Sequence, residues 1–327
     1  MKMAVILLLA FAAILDLATS AFTVSPSYYS GLEDPIWNIT EKDTEFNEIK
    51  TLYDDAIKRK ATFPNNSMPS QLGYRGIMIS EDNLATWFDL VGNKTFDLQV
   101  AIVNSGMSRD EISKTVGSIM IEAIKNETAK PVDNYKLTQK PYKRAPDYPL
   151  YNTNRWRNWI IQYCNNCYNY GSDIPSPPWY RFAQPGLGNG GVGFARPITA
   201  NRVLAAANGD GVVTQRVGDT DAVPNPPANS HLVALVVAPD SSLNARDGDF
   251  HWYRLDSSGR WSHKPGRTPV KDRDGRGRTI NDPRMAANNP YGPQYQFVTF
   301  MNVPNTLVAG TNVQGVFDWF CRRISEV

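Results

Sequence analysis

The chain has 327 residues, 42% of them hydrophobic and 20% charged, with a formal net charge of +2. That balance excludes an intrinsically disordered chain, supplies enough length for one large core or two smaller ones, and gives no polyelectrolyte basis for nucleic-acid binding. Charge is uneven along the sequence: residues 22–140 hold 13 Lys/Arg against 17 Asp/Glu (net −4), and residues 141–327 hold 20 against 14 (net +6), most of the latter cations being Arg.

In chain order, Lys2 precedes an apolar run from Met3 to Leu15, and small side chains follow at Ala18, Thr19, Ser20 and Ala21. This is the pattern of a secretory signal peptide over residues 1–21. Broken by Asp16, the run falls short of the roughly 20 apolar residues that a bilayer span needs, so the expected location is secreted and extracellular, with no membrane span. Asn38, Asn65, Asn93 and Asn126 each head an Asn-x-Ser/Thr sequon, which predicts a glycan-bearing face on the first part of the chain.

Apolar positions at Phe46, Ile49, Leu52 and Ile57 predict a helix over Glu45–Lys60, and strands are predicted near Tyr74–Ile79 and over Phe96–Val103. Ser108 is read as the cap of a second helix, with Arg109, Asp110 and Glu111 in its first turn and Ile112, Val116, Ile119, Ile121 and Ile124 on its apolar positions. These elements make a glycosylated α+β domain at 22–140, ending in a Pro- and Lys-rich stretch, Lys130–Pro149. Further on, helices are predicted over Trp156–Tyr163 and Ile198–Ala207. Strands follow over His231–Ala238, Asp249–Leu255 and Gln296–Met301, giving a second α+β domain at 141–327 with an antiparallel sheet. A long polar loop, Lys264–Pro293, lies between the last two strands.

Three cysteines, Cys164, Cys167 and Cys321, leave one thiol over in an oxidising compartment. Cys164 pairs with Cys167, or either of them pairs with Cys321. All three histidines, His231, His251 and His263, fall within 33 residues downstream of the Cys-x-x-Cys pair. A thiolate nucleophile needs a nearby base and a third polar group that fixes the imidazole tautomer, and both are available here. Other patterns are weaker. The run QPGLGNGG, Gln184–Gly191, lacks the Lys-Ser/Thr ending of a phosphate loop, and Asp272 and Asp274 precede Gly275 without the Glu that closes a calcium loop. Tyr168, Tyr170, Trp179, Tyr180, Trp252, Tyr253 and Trp261 flank the candidate site as core residues or as a stacking platform.

The order of these residues over Trp156–Leu255 resembles the NlpC/P60-like branch of the papain-like cysteine hydrolases. That resemblance implies Cys167 as nucleophile at a helix start, His231 as base opening a strand and His251 as orienting group on the next strand. The helix after Cys167 is cut short by Pro175, Pro177 and Pro178, which departs from the hydrolase pattern. The segments NCYNY, FAQPG, HWYR and WSHKPG are also similar to those of poorly characterised secreted proteins and of shell-matrix proteins of bivalve molluscs, and WSHKPG offers His263 as a rival to His231 or His251. Two functions follow: hydrolysis of an amide bond in a peptide or peptidoglycan-like substrate, or a non-catalytic place in a calcified extracellular matrix. Neither requires a cofactor.

Overall fold

The computed structural model describes residues 21–307 apart from 65–66, 82–85, 133–147, 152–153, 177–181, 189–192, 194 and 216–221. The predicted signal peptide, Asn65, Cys321, Trp179, Tyr180 and most of the Pro- and Lys-rich stretch lie outside the described residues.

In the first half, β1 (Ala21–Ser27), β2 (Trp37–Thr40), β3 (Phe63–Pro64), β4 (Gly76–Glu81) and β5 (Phe88–Leu90) form a sheet in the order β2-β1-β4-β5-β3. Every pairing is antiparallel. One face carries Phe22, Val24, Ile39, Ile77 and Ile79, which pack against Phe46, Ile49 and Tyr53 of helix α1 (Phe46–Lys58). The predicted Glu45–Lys60 helix is this element, and its buried positions recur at the three- and four-residue spacing of one helix face.

Two predictions in this half are corrected. Phe96–Val103 belongs to a helix, α2 (Phe96–Ser108), with Leu98, Gln99, Ile102, Val103, Ser105 and Gly106 buried. A short apolar run has no strand signature distinct from a buried helix, and here the three- and four-residue spacing wins. Ser108 therefore ends a helix rather than starting one, its hydroxyl donating to the Ser105 carbonyl at 2.8 Å. The next helix, α3 (Lys114–Lys125), is capped by Ser113, whose side chain accepts from Val116 N–H. Arg109 ties the end of α2 to the start of α1 through ion pairs with Glu45 (2.7 Å) and Asp43 (2.8 Å).

The second half has short helices α4 (Asn154–Arg157), α5 (Trp159–Tyr163) and α6 (Cys167–Ser172), then α7 (Ala200–Gly209). Its sheet runs β6-β10-β7-β8-β9, all antiparallel, from β6 (Val213–Gln215), β7 (Ser230–Ala238), β8 (Asp249–Leu255), β9 (Trp261–His263) and β10 (Gln296–Pro304). All nine residues of β7 are buried. Val233, Leu235 and Val237 pack toward Cys167, Val203 and Ala207, while Leu232, Ala234 and Val236 face Tyr253, Trp261 and Phe300. The protein is thus α+β with two antiparallel sheets.

The halves are joined across long sequence separations. Tyr74 N–H donates to the Tyr291 carbonyl (3.1 Å), the Ser70 hydroxyl to the Pro269 carbonyl (2.6 Å) and the Asn289 side-chain amide to the Leu72 carbonyl (2.8 Å). Met68, Met78 and Trp87 share an apolar cluster with Tyr163 and Cys164. Among the described residues, no helix is long and apolar enough to cross a membrane. Asn38, Asn93 and Asn126 are all exposed, on a strand edge and at two helix ends of the first half.

Candidate functional site

Asn166 sets the position of Cys167. Its side chain accepts from the N–H groups of Tyr168 and Asn169, the Asn169 side chain returns a bond to Asn166 N–H, and the box so formed starts α6 with Cys167 as its first residue. The Asn166 amide also donates to the carbonyls of Gly31 (2.7 Å) and Ala183 (2.9 Å), so the cap is tied to both halves. After six residues, Asp173 in the left-handed region ends the helix.

Adjacent strands bring two histidines together. His251 on β8 and His263 at the end of β9 face each other with Nε2 of the first 2.7 Å from Nδ1 of the second. His263 Nε2 lies 2.8 Å from the Arg273 carbonyl, which only accepts. His263 therefore donates through Nε2 and accepts at Nδ1, and His251 donates through Nε2 and keeps a lone pair at Nδ1. Burial pushes both rings down in pKa, His263 to about 3, so both are neutral at physiological pH.

The lone pair on His251 meets Ser30, whose hydroxyl lies 2.5 Å from Nδ1. Ser30 also reaches the Cys167 sulfur, and the thiol donates to the Phe250 carbonyl at 3.7 Å. Ser30, Cys167 and His251 are 0% exposed. Burial, with the nearby Asp249 carboxylate, pushes the Cys167 thiol well above its ordinary value and makes it a poor source of thiolate.

The segment carrying Ser30 is pinned from two sides. Asp249 accepts from the backbone N–H of Ser30 (2.6 Å), Gly31 (3.1 Å) and Leu32 (3.0 Å) and from the Tyr295 hydroxyl (2.6 Å). Arg75, fully buried, donates to the carbonyls of Tyr28 (3.2 Å), Tyr29 (2.7 Å) and Gly73 (3.1 Å) and to the Ser27 hydroxyl (2.9 Å). Asp34 accepts from the N–H groups of Tyr28 and Tyr29 and lies 3.5 Å from the Arg75 guanidinium. Gly31 has no room for a side chain: a β-carbon there would stand 2.5 Å from the Phe250 carbonyl oxygen. Gly31→Ala is expected to cost about 3 kcal/mol, because backbone rather than a flexible side chain must yield. Thermal melting checks this, and an unchanged midpoint would mean that the segment does not lie against β8.

His231 is placed elsewhere. Its Nε2 bonds the Gly171 carbonyl at 2.7 Å, burial pushes its pKa down to about 4, and it is not brought to Cys167. Cys167 is a free thiol and Cys164 is disulfide-bonded, which removes the Cys164–Cys167 pairing. In the glycine run, Gly186 and Gly188 N–H donate to the Asp210 carboxylate at 2.8 and 2.7 Å, so a protein carboxylate fills the place a phosphate would take. Asp274 is consumed likewise by the N–H groups of Arg276, Arg278 and Ala287 and by the Arg278 guanidinium. Among the described residues, no group of three or more His, Cys, Asp or Glu is placed to hold a metal ion. Tyr168, Tyr170, Trp252, Tyr253 and Trp261 are all buried core residues. A cleft of about 770 Å³ does open between the halves, lined by residues such as Tyr29, Glu33, Asp110, Lys114, Arg196 and Arg246, with Cys167 not among them.

Sequence comparison gives a relative for part of the chain. Insoluble matrix shell protein 1 of Ruditapes philippinarum is 37% identical over 148 residues, which are 45% of this chain and 85% of that protein. The chain belongs to the family of that shell protein. No family model matches and no solved structure matches, so the likeness to NlpC/P60-like hydrolases gains no support from them.

In this member of the insoluble matrix shell protein family, the chemistry-bearing residues that sequence reasoning missed are Ser30, Arg75 and Asp249. Ser30 is separated from Asp249 by 219 positions, and no local motif marks it. The one available signal was Gly31, a glycine after Ser30 whose need for close backbone approach appears only once Phe250 is placed against it.

Proposed function

We propose that the chain is a non-catalytic structural component of a calcified extracellular organic matrix. The observation that carries this reading is its 37% identity to a protein named as an insoluble shell matrix component. The site adds support, because among the described residues the Cys167 thiol is buried, burial holds it toward its neutral form, and the chain's own Ser30 segment lies against it. On this reading, residues 22–140 form a glycosylated unit through Asn38, Asn93 and Asn126, and the hydrolase-like residues of 141–327 serve the interior of an interaction module.

The test is fractionation of demineralised shell with an antibody to this chain. It is expected in the residue that resists aqueous and denaturant extraction, and recovery only in soluble extracellular fluid sinks the proposal. A parallel measurement separates this from cysteine hydrolysis, for which Cys167 at a helix start, linked through Ser30 to His251, is the supporting geometry. Iodoacetamide should leave Cys167 unlabelled in the native protein between about pH 5 and 9 and label it once unfolded, since attack needs an exposed thiolate. Rapid labelling of the native protein would return the hydrolase reading to first place.

A further inference from the structure

Among the described residues, the buried Ser30 hydroxyl adjoins a peptide bond of its own chain, Tyr29–Ser30. Three groups converge on it. The Ser30 hydroxyl lies 2.5 Å from the lone-pair nitrogen of His251, whose tautomer is fixed by the chain of bonds through His263 to the Arg273 carbonyl. The Tyr29 carbonyl oxygen accepts from the buried Arg75 guanidinium at 2.7 Å. The N–H of Ser30 donates to Asp249 at 2.6 Å. A nucleophile with its base, a cation on the carbonyl oxygen and a carboxylate on the amide nitrogen are the parts that acyl transfer needs.

We propose that the protein cleaves its own backbone between Tyr29 and Ser30 by an N-to-O acyl shift. The Ser30 hydroxyl gives its proton to His251 Nδ1 as its oxygen attacks the Tyr29 carbonyl carbon. The resulting oxyanion is held by Arg75. When the C–N bond breaks, His251 returns the proton to the leaving nitrogen, and Asp249 stabilises the amine that forms. The product is an ester between the Tyr29 acyl group and the Ser30 oxygen. Water then hydrolyses the ester, releasing a Tyr29 carboxylate and restoring the Ser30 hydroxyl with a free α-amine, so the net change is one peptide bond and one water consumed. The severed strand stays in place, because β1 pairs with β2 on one side and β4 on the other. His263 acts as a positioning residue, holding the His251 tautomer.

The experiment uses the full chain secreted from a eukaryotic host, incubated and then denatured, with intact mass and N-terminal sequencing as readouts. A new N-terminus at Ser30 and a matching peptide ending in Tyr29 are expected, and neutral hydroxylamine should speed cleavage by trapping the ester as a Tyr29 hydroxamate. Ser30→Ala should lower the yield by at least about a hundredfold, since it removes the nucleophile, and His251→Gln by about a hundredfold or more, the usual worth of a general base. Ser30→Thr and Ser30→Cys retain a nucleophile and should still give product, which guards against a Ser30→Ala variant that merely misfolds. The proposal is overturned if the wild-type 29–30 bond stays whole with and without hydroxylamine. It is overturned equally if Ser30→Ala is cleaved at the wild-type rate, the mark of an outside protease.

Discussion

Asp249→Ala should unfold the protein at about 4 kcal/mol less free energy than the wild type, read from the urea midpoint. The carboxylate is the one acceptor for three consecutive backbone N–H groups and the Tyr295 hydroxyl. Each buried donor left unsatisfied costs about 1–3 kcal/mol, and four are orphaned together, although such costs do not add fully. Burial also raises the Asp249 carboxyl to about 6 from its ordinary 3.8, against the pull of its hydrogen bonds. The folded state therefore holds the proton more tightly than the unfolded one. The contribution of this group grows as pH falls from about 6 toward 3.8 and is smallest above 6. The gap between wild type and Asp249→Ala should accordingly widen over that window. A difference below about 1 kcal/mol at neutral pH would show that Asp249 does not hold the Ser30 segment.

Arg75→Ala is expected to cost about 3–5 kcal/mol, the range for removing one member of a buried pair. Its guanidinium is fully enclosed, pairs with the equally buried Asp34 and satisfies the Tyr28, Tyr29 and Gly73 carbonyls. The loss strands a carboxylate as well as those carbonyls. Combining Arg75→Ala with Asp34→Asn should recover part of the loss, because the stranded charge is gone while the carbonyls remain unmet. Additive costs in the double variant would mean that the two side chains do not act as a pair.

The elements legible in the sequence were those whose pattern carried its own cause. HLVALVVA is apolar on both faces and is buried on both in β7, and Asn166 followed by Asn169 encodes the cap that starts α6 at Cys167. The strand expected over Phe96–Val103 is part of α2, because a short apolar run serves a strand and a buried helix alike, and the helical spacing shows only once Ser105 and Gly106 are seen to be buried with Leu98, Ile102 and Val103. At the site, residue chemistry pointed to Cys167, His231 and His251, with His263 as a rival, all drawn from the stretch between residues 167 and 263. Which histidine stands beside the site depended on strand register, since His231 opens β7 but turns its ring to Gly171. Ser30, Arg75 and Asp249 were beyond reach because their meaning lies in contacts between distant parts of the chain, which no local spacing records.

The 219-residue gap between Ser30 and Asp249 also has a consequence in time. At roughly 5–20 residues per second, the ribosome delivers Asp249 about ten to forty seconds after Ser30. β8 is also made after both Cys164 and Cys167, so each thiol exists for a time before Phe250 is there to lie against Cys167. The cover from Phe250 over the free Cys167 thus comes late in synthesis, after the thiol it covers.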